Sequence, residues 1–270
     1  MPGVPRFYPL VSLFLILSFI SLMQNSANGN PSKTDTARRL AKNLPFLRRS
    51  QPSSNNPFSR LPSRSRPGGN TGAFAPSYSL MFGSYNDRGS LYDVVFIIDD
   101  SGSIPSDQFN KGLSAIRLLI GDASPGTKFA AIKFSNKAHL LFNFVSPDQA
   151  KKKLLNVPRN NGMTNTQDAL KMARRDLFLN PAASGSRQNA HRMAVVVTDG
   201  NSNVQPDQTV PQAIQLKGIG TRVMVIAVGN YRDSGRKEMK DIASHPSDKN
   251  FFVVDDFNAF HQVANMVASI

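Results

Sequence analysis

Asp99, Ser101 and Ser103 alternate with Asp100 and Gly102 directly behind the apolar run at 94–98, and Asp199 closes a second run, Val195-Val196-Val197-Thr198. In a tight turn, alternate residues can aim their oxygens at one spot, and Gly102 lets the backbone bend there. Carboxylate and hydroxyl oxygens, without nitrogen or sulfur, suit a hard octahedral cation such as Mg2+, with Mn2+ or Ca2+ as the other candidates. Two carboxylates and two hydroxyls leave such a site short of one oxygen. The polar segment Gly162-Met163-Thr164-Asn165-Thr166 can supply it, from Thr164 or from Thr166. The competing local reading is an Asx/Ser turn that caps the next helix. Asp100 should point away from Asp99 and Ser101, toward solvent or an outer contact.

For these groups to meet, the chain must bring the ends of distant strands together. Apolar runs recur at 94–98, 129–134, 193–197, 223–228 and 251–254, rich in β-branched residues and too short for buried helices. Unbroken apolarity means burial on both faces, as in a parallel sheet. Leu140, Phe142 and Phe144 alternate with His139, Leu141 and Asn143 after the tight Ser135-Asn136-Lys137 link, which predicts an antiparallel hairpin strand at the edge.

Between the runs, Phe109, Leu113, Ile116 and Ile120 keep a helical period. So do Ala169, Leu170, Ala173 and Leu177, and then Phe260, Val263, Ala264 and Val267 in a last helix over 256–270. Ser146-Pro147-Asp148-Gln149 reads as a capped helix start, and Thr209-Val210-Pro211 as another with its stop at Gly218. The fold class is α/β: a doubly wound, mostly parallel six-stranded sheet with one antiparallel edge strand and helices on both faces. In such sheets ligands gather beyond the carboxyl ends of the strands, where the winding reverses. If the strands ending at Asp99 and Asp199 are neighbours there, both carboxylates reach that point.

At these residues the chain resembles the von Willebrand factor type A domain, from about position 93 to the end. The resemblance assigns Asp99, Ser101 and Ser103 to that family's Asp-x-Ser-x-Ser element, Thr164 to its distant threonine and Asp199 to its later strand-end aspartate. It implies a metal-ion-dependent adhesion site with direct bonds from the two serines and the threonine, mostly water-mediated contacts from the aspartates, and a last position completed by a partner's carboxylate. Met163 departs from the second glycine that many members carry before the threonine. By the same resemblance the partner is an extracellular matrix protein such as a collagen, in a mineralised or skeletal matrix among other settings.

Residues 1–29, with the lone Arg6 before an apolar stretch and small residues ending at Ala27 and Gly29, read as a secretory signal peptide. With no second apolar stretch of that length, the mature form is expected to have no membrane span and to be secreted into the extracellular matrix. The chain has no cysteine, which removes disulfides and thiolate chemistry together. Of the net charge of +14, most lies in residues 30–90, where ten Lys and Arg face two Asp among Ser, Pro, Asn and Gly. That segment reads as a disordered basic arm or propeptide, with 36–44 as a short basic amphipathic helix in the competing reading. Arg38-Arg39 and Arg48-Arg49 are expected dibasic cleavage sites. The arm would add attraction to acidic polysaccharide or acidic matrix protein, weakened by salt. An alternative role is structural, with assembly through the arm and a metal that only stabilises loops.

Enzymatic readings lack their parts. A phosphatase of the Asp-x-Asp kind needs a carboxylate where Ser101 stands, and neither a nucleophile elbow nor a His-Glu-x-x-His motif occurs. Lys151-Lys152-Lys153 reads as the wet face of a helix, and no nucleic-acid partner is expected.

Overall fold

Strands rich in valine, isoleucine and phenylalanine build the sheet that positions everything else. The computed structural model describes residues 31–47, 90–229, 231 and 233–269. β1 (Tyr92–Asp99), β2 (Thr127–Phe134), β3 (Ala138–Val145), β4 (His191–Thr198), β5 (Arg222–Val228) and β6 (Phe251–Val254) lie in the order β3-β2-β1-β4-β5-β6. All neighbours pair parallel except β2 and β3, so the one antiparallel strand is the edge strand. Every residue of β1 is buried, as its unbroken apolarity requires.

Helices cover both faces. α1 (Lys33–Asn43), α2 (Ser106–Gly121), α3 (Pro147–Lys153) and α8 (Phe257–Val267) close over Val94, Phe96 and Ile98. α4 (Thr166–Met172), which runs on into a wider π turn over Ala173–Phe178, covers Val95 and Ile97 together with α6 (Thr209–Gly218) and α7 (Asp233–Ile242). A single turn, α5 (Pro181–Ser184), precedes β4. The Ser146 capping box of α3 forms as its sequence predicts. The last helix is shorter than expected: Asp256 caps its start by accepting the Ala259 amide at 2.6 Å, and it ends at Val267. At the amino ends of the strands the buried Asp93 carboxylate takes two bonds from the Arg187 guanidinium, at 2.7 and 2.9 Å.

Two expectations are corrected. Leu140, Phe142 and Phe144 do not share one face as their alternation implies: Leu140 is 43% exposed, while Phe142 packs on one face of the sheet and Phe144 on the other. β3 gains a residue on β2 twice between Phe129 and Ile132, and each bulge swaps the faces that alternation would assign.

The start of the basic arm, read as solvated, is instead folded into the domain. Ser32 caps α1, whose Ala37 and Leu40 turn inward, and Leu44, Phe46 and Leu47 continue the buried stripe. Leu40, Leu44 and Phe46 are each at most 1% exposed, and each such side chain stabilises by about 1.5–3 kcal/mol on burial. Arg39 donates to the Asp248 carbonyl at 2.7 Å and lies over the Phe252 ring, while Lys33 donates to Gln262 at 2.8 Å. Phe46 meets Phe129 edge-on at 5.4 Å, and its carbonyl accepts the Ser124 amide at 2.6 Å. Residues 33–47 therefore form a strap from α8 and β6 across to the turn before β2, and Arg38-Arg39 sits inside a packed helix. The expected signal peptide and Arg48-Arg49 lie outside the described residues.

Candidate metal centre

The register of the central strands sets the site. Ile98 stands opposite Val197, so Asp99 ends β1 beside Thr198, and Asp199 follows at once. Because β1 leads off toward β2 and β4 toward β5, the two acids meet where the winding reverses.

Asp99 is buried, and both its oxygens are used: Oδ1 accepts the Ser101 amide at 2.9 Å and Oδ2 the Thr198 hydroxyl at 2.6 Å. The Ser101 and Ser103 hydroxyls lie 3.1 Å apart, and Ser103 donates to Asp199 Oδ1 at 3.0 Å. The four residues at the two strand ends are thus one contiguous cluster.

Thr164 reaches it through its backbone neighbours. Its amide donates to Asn203 Oδ1 at 2.7 Å, and its carbonyl accepts the Asn203 amide at 3.0 Å, which ties its loop to the segment after Asp199. Asn136 Oδ1 accepts the Met163 amide at 2.8 Å, and the Gly102 amide donates to the Gly162 carbonyl at 2.8 Å. Gly162 has φ +131°, and a side chain there would strike Asn136. Thr164 is 6% exposed; Thr166, in the first turn of α4, is buried at 1%. Met163 stands half exposed beside the cluster.

The electrostatics raise both acids of the site. Burial first, and then the charge of Asp199, push the Asp99 carboxyl up to about 6, against the hydrogen bonds from Ser101 and Thr198. Burial also raises Asp199, partly offset by Ser103. Among the described residues neither acid forms a salt bridge, whereas their neighbour Asp100 has two cations. A buried carboxylate facing a half-buried one, with no cation beside either among the described residues and hydroxyls around both, has the donor chemistry of a hard divalent cation site. Among the described residues no cluster of three or more acidic or histidine side chains is placed to hold a metal, so hydroxyls must complete any donor set here.

Asp100 is not solvent-facing. It is buried, accepting Lys133 Nζ at 3.1 Å, Arg159 Nε at 3.0 Å and the Asn160 amide at 2.7 Å. A lysine inside the apolar strand Phe129-Ala130-Ala131-Ile132-Lys133-Phe134 was the signal for this cluster, since a buried charge needs a partner. Glu238 on α7 is a second support, accepting the Ser202 amide at 2.8 Å in the segment after Asp199, its carboxyl raised by burial.

Residues 93–266 match the model of the von Willebrand factor type A domain. The chain is 32% identical to mouse integrin alpha-X over 182 residues, 65% of this chain and 15% of the integrin. It is 32% identical to the human collagen alpha-5(VI) chain over 186 residues, 67% of this chain and 7% of the collagen chain. It thus spans a small part of these relatives. In fold it is similar to proximal thread matrix protein 1 of the mussel byssus, with a TM-score of 0.58 and 24% identity over 66% of this chain and 47% of that one. Another structure of that byssus protein has zinc in its MIDAS motif. Among the described residues no helix is long and apolar enough to cross a membrane.

Proposed function

The chain belongs to the von Willebrand factor type A domain family, and from that premise we propose that it is a non-enzymatic, secreted adhesion module. It grips an extracellular matrix protein through a divalent cation held by Asp99, Ser101, Ser103, Thr164 and Asp199. The observation that carries this reading is the pair of carboxylates at the switch point, Asp99 buried and Asp199 half-buried, with no cation beside either among the described residues and the Ser101 and Ser103 hydroxyls against them. The family's occurrence in an integrin and a collagen chain supports the partner class. The zinc in the byssus protein supports a divalent ion at this position of the fold.

Each residue has a distinct task. Ser101, Ser103 and Thr164 would hold the ion with neutral hydroxyl oxygens. Asp99, with both oxygens engaged by Ser101 and Thr198, acts mainly as charge behind the ligands. Asp199 holds Ser103 in orientation and balances the ion. The ion, Mg2+ in our reading, supplies a Lewis-acidic position for a carboxylate of the partner, such as a collagen. With few anionic ligands of its own, the site gains from one more, so metal and partner bind cooperatively.

The test is capture from an extracellular matrix extract, with the full chain immobilised in Mg2+ or in EDTA. A matrix protein held in Mg2+, released by EDTA and not captured by Asp199→Ala is the expected result. Capture that survives both changes refutes a metal-bridged grip.

A further inference from the structure

We infer that Arg159 is a positioning residue for the metal centre, fixing the angle at which Ser101 and Ser103 present their hydroxyls. This rests on the reading of the site given above.

The peptide unit between Ser101 and Gly102 decides how the two serines face. Its carbonyl accepts Arg159 Nη2 at 2.9 Å, and its N–H donates to the Gly162 carbonyl at 2.8 Å. Both ends of that unit are therefore pinned by one segment, residues 159–162, which also leads into Thr164. The guanidinium reaches further along the serine loop, with Nη1 on the Ile104 carbonyl and Nε on Asp100 Oδ1 at 3.0 Å. Its Cζ lies 5.4 Å from the centre of the Phe109 ring, at the start of α2. One rigid fork thus touches the loop at Asp100, Ser101 and Ile104 and brackets the two serines.

Lys133 holds the other end of the clamp. Its ammonium bonds the Pro158 carbonyl, Asn160 Oδ1 at 3.0 Å and Asp100 Oδ2 at 3.1 Å, so the residues around Arg159 cannot slide along β2. The buried carboxylate of Asp100 lets two cations sit beside a centre that is itself meant to hold a cation. Lysine could balance that charge at position 159 but lacks the planar fork that spans three acceptors.

The sign of the effect separates geometry from charge. By Coulomb attraction alone, removing a positive group near the site tightens binding of a divalent ion. If Arg159 sets geometry, its loss weakens binding, and outer supports of metal ligands typically contribute about 10–100-fold in affinity.

The test is calorimetric Mn2+ titration of the full chain, with thermal unfolding in EDTA recorded for each variant. Arg159→Met, which leaves Asp100 neutralised by Lys133, should bind Mn2+ about tenfold or more weaker than the unsubstituted chain, and Arg159→Lys should be similarly impaired. Should Arg159→Met not fold, Arg159→Lys carries the test alone. Mn2+ uptake abolished by Asp199→Ala but equal or tighter in Arg159→Met overturns this inference and leaves the site standing. Full affinity in Arg159→Lys overturns it too, since charge would then suffice. No Mn2+ uptake by the unsubstituted chain, or uptake indifferent to Asp199→Ala, removes the metal site and this inference with it.

Discussion

Replacing Asp99 by Asn should reverse its effect on stability with pH when metal is withheld. Its carboxyl rises from 3.8 to about 6 in the folded chain. Between those values the folded state keeps a proton that the unfolded state has released, so stability falls as pH rises through that window. A rise of about two pKa units corresponds to roughly 3 kcal/mol, absent at pH 3.5 and fully present by pH 7.5. Asn removes this penalty but not without cost. Its amide oxygen can still accept the Ser101 N–H, while its NH2 faces a Thr198 hydroxyl that now donates to Asp99 at 2.6 Å and has the Gly200 carbonyl as its other acceptor at 3.1 Å. One disturbed buried hydrogen bond costs about 1 kcal/mol at any pH. In EDTA, Asp99→Asn should therefore be about 1 kcal/mol less stable than the parent at pH 3.5 and about 2 kcal/mol more stable at pH 7.5. Urea unfolding across that range measures the difference. Saturating Mg2+ at pH 7.5 should restore the advantage of the parent, because only it gains binding energy from the ion. A stability difference that stays flat from pH 3.5 to 7.5 would refute the argument from buried, uncompensated charge.

Other substitutions separate site from scaffold. Phe46→Ala empties a fully buried position under Phe129 and should cost about 3–5 kcal/mol in urea unfolding, with Mg2+ affinity of the remaining folded protein unchanged within about twofold. Gly102→Ala places a Cβ 2.9 Å from Asn161 Oδ1 and 3.2 Å from the Gly162 carbonyl, so the threonine loop must retreat. A loss of about tenfold or more in Mn2+ affinity, with thermal unfolding in EDTA moved by only a few degrees, is expected there, and unchanged affinity counts against close coupling of the two loops.

Much of this architecture is legible in the primary structure because its strands are buried on both faces and so leave unbroken apolar runs. The Asp-x-Ser-x-Ser element and Asp199 could be placed together because strand-end acids in a doubly wound sheet have few places to go. What stayed hidden depends on contacts between remote segments. Ala37, Leu40, Leu44 and Phe46 are too few, among too many arginines, to announce a packed helix. Their partners on α8 and β6 lie some 200 residues away, as the Arg39 to Asp248 bond, spanning 209 positions, shows. Alternation failed at Leu140 because bulges change which face a residue meets. At Asp100 it held, since the carboxylate turns away from Asp99 and Ser101, but its burial is decided by Lys133 and Arg159, and of these only the lysine leaves a mark, as a charge within an apolar run.

The strap also sets an order of events. A ribosome releases residues 33–47 long before Gln262, which Lys33 bonds across 229 positions. At about 5–20 residues per second this helix waits roughly 10–45 seconds for the surface that receives it. Until then the inward side of the helix, with Ala37 and Leu40, lacks α8 to pack on, whereas Phe46 already has Phe129 and Ser124. The bonds of Lys33 to Gln262 and of Arg39 to the Asp248 carbonyl can therefore form only after translation has passed those late residues.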